Sequence, residues 1–108
     1  MIDDQKYVQM LMEQMETALP IPATMTARLV RNLRDRGKSF PKREVFIRSI
    51  FYSGDDGGIM CDITPSRDAK EAFVVSLTHL RVSPKHPLGE AIRTYQQART
   101  TKLAQQRP

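Results

Sequence analysis

Residues 44–53, EVFIRSIFYS, are too apolar on both faces to form a strand with one side in water. β-Branched and aromatic residues dominate the segment, which argues for extended chain. Period-two alternation points Val45, Ile47 and Phe51 one way and Phe46, Ile50 and Tyr52 the other. Such a strand must lie centrally in its sheet, or be covered on its second face by a terminal helix or a partner subunit.

The neighbours of this segment extend the pattern. Gly54-Asp55-Asp56-Gly57-Gly58 is a loop of residues that tolerate positive φ. Residues 59–63 return as a second strand, with Ile59, Cys61 and Ile63 inward and Asp62 outward. After the loop TPSRDAK, residues 71–82 give a third strand. There Phe73, Val75 and Leu77 share one face, and Val74 and Leu80 the other. The spacing predicts an antiparallel three-stranded meander, with Cys61 opposite Val74.

Helical periodicity flanks the meander. Val8, Leu11, Met12, Met15 and Leu19 form an apolar stripe over 4–18, with Asp3 or Asp4 as N-cap and Pro20 and Pro22 as the stop. Met25, Leu29, Val30 and Leu33 predict a second helix over 23–36, ended by Gly37. Pro87 suits the first position of a third helix, with Leu88, Ala91, Ile92, Tyr95 and Ala98 as its stripe. The predicted fold class is α+β: two N-terminal helices, a three-stranded antiparallel β-meander, and a C-terminal helix packed on the sheet. One domain spans 1–103, and 104–108 is a frayed tail.

A chain of 108 residues, 40% apolar and 27% charged, can bury a modest core without metals or disulfides. Its single cysteine, Cys61, excludes an internal disulfide and requires no oxidising compartment. The start Met1-Ile2-Asp3-Asp4 is unlike a secretory signal or transit peptide, and no 18-residue apolar run occurs. These features predict a cytoplasmic protein with no membrane partner.

Catalytic constellations are missing. On the predicted register His79 lies about 16 Å along the hairpin from Cys61, beyond the reach of a nucleophile and its base. The same register brings His79 towards the Asp55–Asp56 loop, which leaves a His-plus-carboxylate cluster geometrically open. Asp55, Asp56, Asp62 and Asp68 nevertheless lack the alternate spacing and distal Glu of a calcium loop. His86 lies between prolines at a helix start, where a capping or packing role is expected. No Walker loop, Rossmann fingerprint, CxxC pair, HExxH or G-x-S-x-G occurs. The expectation is a protein that is not an enzyme, with no cofactor, no metal and no small-molecule substrate.

Charge supplies the one positive indication. Residues 28–48 hold eight Lys and Arg against Asp35 and Glu44, an excess of six, whereas the whole chain has a net charge of only +5. Residues 1–20 and 49–80 are acidic, and 81–108 basic again. On the predicted second helix Arg28, Arg31 and Arg34 occupy the arc opposite the apolar one, and Lys38, Lys42 and Arg43 lie in the loop after it. Arg36 turns towards the apolar arc and Arg48 belongs to a strand. The six residues Arg28, Arg31, Arg34, Lys38, Lys42 and Arg43 form the predicted anion-facing patch.

The order of a helix, three antiparallel strands and a final helix resembles double-stranded-RNA-binding domains, in element order alone. The last helix of such a domain starts with several lysines on phosphate, and Pro84-Lys85-His86-Pro87-Leu88 offers one. Asp55 and Asp56 would repel phosphate, and the helix over 23–36 has no counterpart. Two functional readings follow. One is a small protein-interaction or assembly module, docking an acidic protein partner or a second copy. The other is RNA binding through helix 23–36 and the loop after it.

Overall fold

Pro20 and Pro22 end the first helix, but they do not open the second. In the computed structural model, which describes residues 2–38, 40, 42–66 and 68–106, α1 runs Gln5–Ala18. Asp4 caps it, its Oδ1 accepting from the N–H groups of Lys6 at 3.0 Å and Tyr7 at 3.3 Å. Val8, Leu11 and Met15 are its buried face, as the stripe predicts. The chain then enters a strand, β1 (Ile21–Met25), where Ile21, Ala23 and Met25 are buried and Pro22 and Thr24 exposed.

The predicted helix start at 23 is therefore corrected to α2, Ala27–Asp35. Met25, Leu29 and Leu33 fit helical spacing, yet Thr26 caps the helix, its Oγ1 accepting from the Leu29 N–H at 3.2 Å. Pairing on both sides outweighs the local pattern: β1 lies between β2 (Glu44–Ile47) and β6 (Leu80–Arg81), antiparallel to both. Pro22 is tolerated because β6 pairs only with Thr24 and Met25, so nothing on that side needs its missing N–H.

Two three-stranded antiparallel sheets replace the single meander. The first has the order β2-β1-β6; the second joins β3 (Ser49–Tyr52), β4 (Ile59–Asp62) and β5 (Val74–Ser76) in that order. The doubly apolar segment bends at Arg48, where Arg48 and Ser49 are both exposed and the alternation slips by one. Val45, Ile47 and Ile50 consequently point inward together, while Phe46 and Phe51 stand out at 50% and 49% exposure. The third predicted strand breaks as well. A single 3₁₀ turn, Leu77–His79, separates β5 from β6, and its three-residue period puts both Leu77 and Leu80 in the core. Cys61 pairs with Val75 rather than Val74, because Phe73 is held back against Ile63 and Thr64. The chain itself links the two sheets at their edges, β2 running into β3 through the bend at Arg48 and β5 into β6 through the 3₁₀ turn.

The inner faces of both sheets form one core with α1, α2 and α3 (Gly89–Gln105). Helix α3 starts two residues after Pro87, and the His86 Nδ1 accepts from the Leu88 N–H at 3.0 Å, the expected capping role. It continues to Gln105, past the predicted start of fraying at 104; Arg107 and Pro108 lie outside the described residues. Gly89 has no alternative here, since a Cβ would sit 2.3 Å from the Ser83 carbonyl oxygen.

The buried face of α3 includes two polar residues that the stripe did not predict, Gln96 and Arg99, while Ala98 is exposed. Gln96 Nε2 donates to the carbonyls of Leu77 and Leu80, each at 2.7 Å, tying α3 to both ends of the 3₁₀ turn. Gln96→Leu leaves both carbonyls without that donor, so a loss of about 2 kcal/mol is expected. Urea unfolding at unchanged m-value is the measurement; an unshifted midpoint would show that the amide does not hold the turn.

Candidate functional site

Helix α2 buries Leu29 and Leu33 and leaves Arg28, Arg31 and Arg34 exposed. Three residues along a helix step back about 60° and rise about 4.5 Å. The three arginines therefore form an oblique row across the outer surface of α2, its ends about 9 Å apart along the axis. Arg34 ends the row on the flank facing segment 38–43, and Arg28 ends it on the flank facing the 3₁₀ turn.

At the Arg34 end lies a cleft of about 210 Å³. Met25, Val30, Leu33 and Phe40 form its apolar lining, and Arg34, Lys38, Lys42 and Arg43 its cationic part. Four of the six predicted patch residues thus converge there. Their commitments differ. Lys38 is ion-paired with Glu71, and its Nζ lies 5.5 Å from the centroid of the Phe73 ring. Phe73 packs edge-on against Phe40, ring centroids 4.5 Å apart, so Lys38 closes the wall of the cleft. Arg43 donates from Nη2 to the Met25 carbonyl at 3.0 Å, which fixes its guanidinium beside β1. The side chains of Arg28, Arg31, Arg34 and Lys42 make no hydrogen bond or ion pair with another described residue. Ser39 and Pro41 of the predicted basic loop lie outside the described residues.

Arg48, set aside on sequence grounds, anchors the neighbouring loop instead, with Nε 3.0 Å from the Thr64 carbonyl and Nη2 3.4 Å from that of Pro65. Two residues join the basic surface that the sequence did not single out for it, His79 and Arg81. The Thr26 N–H donates to the His79 carbonyl at 3.1 Å, seating the start of α2 on the 3₁₀ turn. Burial, then the charges of Arg28 and Arg81, push the His79 imidazole below its ordinary pKa. Beyond Arg81 an open groove of about 1160 Å³ follows the outer face of α3, with Arg93, Thr94, Gln97 and Thr101 in its lining.

The other sequence candidates are used structurally. Cys61 is fully buried, and burial pushes its thiol up to about 12, far from a reactive thiolate. His79 does not join the acidic loop as the predicted register allowed; it belongs with Arg28 and Arg81. Asp55, though exposed, is tied to the N-terminal segment instead, its Oδ1 accepting from the Ile2 N–H at 2.9 Å. Among the described residues no group of three His, Cys, Asp or Glu is arranged to hold a metal ion. No helix among them is long and apolar enough to cross a membrane. Comparison of the chain with protein-family models, with curated proteins and with solved structures gives no match in any of the three.

Proposed function

We propose that this domain is a non-catalytic protein-interaction module that docks an acidic, apolar-containing segment of a partner protein across α2. The observation that carries this reading is the apolar-floored cleft at the end of a row of three arginines whose side chains have no partner among the described residues. Guanidinium groups bind carboxylates through paired N–H donors, and an exposed row steers an acidic partner by its field. An aliphatic or aromatic side chain between the carboxylates would fill the cleft, contacting Val30, Leu33 and Phe40. RNA suits this lining less well, because bases need exposed aromatic platforms. Among the described residues Phe40 is the only aromatic in the cleft, and its neighbour Phe73 already packs against it. The reading includes a second copy of the chain as a partner, since Glu13 and Glu16 on α1 are exposed acids. A single buried thiol suits a cytoplasmic setting.

The test is fluorescence anisotropy with a labelled peptide of alternating Asp and Leu, compared with an oligouridylate of equal length at near-physiological salt. The peptide is expected to bind at micromolar concentration and the oligouridylate at least about tenfold more weakly. Replacing Arg28, Arg31 and Arg34 together by Ala should weaken the peptide by about tenfold or more. An oligouridylate that binds as tightly as the peptide would transfer the site to nucleic acid and overturn the reading.

A further inference from the structure

The wall of the cleft at the Arg34 end of the row is pinned at both ends. At the α2 end the Lys38 N–H donates to the Leu33 carbonyl at 2.8 Å, and the Gly37 N–H to that of Arg34 at 2.9 Å. Gly37 turns the chain there with φ +74°, a conformation open to glycine. At the β2 end Arg43 is bound twice to Met25. Its carbonyl accepts from the Met25 N–H at 2.9 Å, and its Nη2 donates to the Met25 carbonyl at 3.0 Å. Between these ends Phe40 rests against Phe73. Floor and rim are therefore ordered before any ligand arrives, which lowers the cost of binding.

Size and lining restrict what enters. An apolar cavity of about 150 Å³ takes benzene, and drug-sized ligands need about 300 Å³ or more. At about 210 Å³ the cleft receives one large aliphatic or aromatic side chain. No acidic residue is among the described residues that line it. Glu71 offsets Lys38 by pairing with it, whereas Arg34, Lys42 and Arg43 have no ion pair among the described residues. Asp35 and Glu44, their neighbours in sequence, are exposed and outside the lining. Three cationic side chains and an apolar floor thus share a space the size of one residue. The matching ligand carries a bulky apolar group and an anion side by side.

An internal residue of an extended partner does not meet that requirement. The residues on either side of it point to the opposite face, so their carboxylates turn away from the cleft. On a helical partner the nearest acid on the same face lies one turn off, about 5–6 Å between Cβ atoms. A C-terminal residue carries its side chain and a carboxylate on one Cα, and both enter together. We propose that the cleft captures the free C-terminus of the partner chain, a terminal Leu or Phe. Its side chain lies on Val30, Leu33 and Phe40, and its carboxylate among Arg34, Lys42 and Arg43. This rests on the docking of an acidic segment proposed above and gives that segment a direction, with its upstream acids along Arg31 and Arg28.

Fluorescence anisotropy with four N-terminally labelled peptides of alternating Asp and Leu, each with Leu as its last repeat residue, is the test. The first has a free C-terminal carboxylate and the second a C-terminal amide. The third is the amide with one more Asp at its N-terminus, which restores the net charge. The fourth adds Gly-Gly after the last Leu, moving the free carboxylate about 7 Å along the chain. The first peptide is expected to bind about tenfold more tightly than each of the other three. Arg34→Gln with Lys42→Gln, both at exposed positions, should bring the free acid and the charge-matched amide within about twofold of each other. Equal wild-type affinity for those two peptides would overturn capture of the terminus and leave the docking of an acidic segment standing. A tenfold preference that survives in the double variant would also overturn it, by placing the terminus elsewhere. Binding by none of the four peptides would remove the docking reading and the capture with it.

Discussion

Arg99→Ala is expected to destabilise the domain by about 3–5 kcal/mol, the cost of leaving one member of a buried ion pair without its partner. Arg99 and Asp3 are joined at 2.9 Å, with side chains only 3% and 2% exposed. The bonds around them make the pair a hub. Arg99 Nη2 donates to the Asp55 carbonyl at 2.7 Å, and the Tyr52 hydroxyl donates to Asp3 Oδ2 at 2.9 Å. The pair thus ties the segment before α1 to β3, to the loop after it, and to α3. Removing Arg99 strands a carboxylate in the interior and releases that loop together. A fall of roughly 12 °C or more in melting temperature is expected for a chain of this size. Replacing both partners, Asp3→Leu with Arg99→Met, should recover much of the loss, because no charge remains buried. A single variant within about 1 kcal/mol of wild type would refute the hub.

The same hub predicts an alkaline limit. Burial, the hydrogen bond to Asp3 and the Asp3 charge, in that order, push the Tyr52 hydroxyl up from 10.0 to about 12. A raised folded-state pKa contributes stability that is complete below the unfolded value and lost as pH climbs through the folded one. Stability should therefore decline between pH 10 and about 12, and Tyr52→Phe should flatten that decline. Equilibrium unfolding at a series of alkaline pH values reads it directly.

Gly58→Ala carries the second large effect, about 3 kcal/mol, from two sources acting together. Gly58 has φ +67°, a conformation costly for any L side chain. A Cβ there would also sit 2.2 Å from the Tyr95 hydroxyl oxygen and 3.0 Å from Arg99 Nη1. Tyr95 cannot yield freely, because its hydroxyl accepts from the Ile59 N–H at 2.9 Å at the start of β4. Gly54 is the control: it has the same φ of +67°, with nothing within 4 Å of its would-be Cβ. Gly54→Ala should therefore show the backbone cost alone, about 1 kcal/mol. Equal losses at the two positions would mean that the close approach of loop and α3 has no energetic weight.

What the sequence reveals follows how local each cause is. The α1 stripe, the glycine-rich loop and β4 are legible because their own residues decide them. β1 is not, since IPATM alternates over only five residues and competes with the helical spacing of Met25, Leu29 and Leu33. Only pairing with β2 and β6 settles that competition. The bend at Arg48 and the 3₁₀ turn are likewise answers to the closing of the core, so the predicted faces of both long strands go wrong there. The ion pair of Asp3 and Arg99 spans 96 positions and leaves no local trace. The arginine row could be read from helical phase alone. Its neighbours could not: the link of Lys38 to Glu71 and the approach of His79 and Arg81 to Arg28 depend on tertiary contacts.

The central claim is that the outer face of α2 and its adjoining cleft receive an acidic protein segment. Its most direct test is an amide-resolved NMR titration of isotope-labelled protein with the alternating Asp–Leu peptide. Saturable shifts are expected at Val30, Leu33, Arg34, Phe40 and Lys42, and should vanish when Arg28, Arg31 and Arg34 are all replaced by Ala. Shifts confined to the α3 groove at Thr94, Gln97 and Thr101, or no shifts at all, would contradict the account.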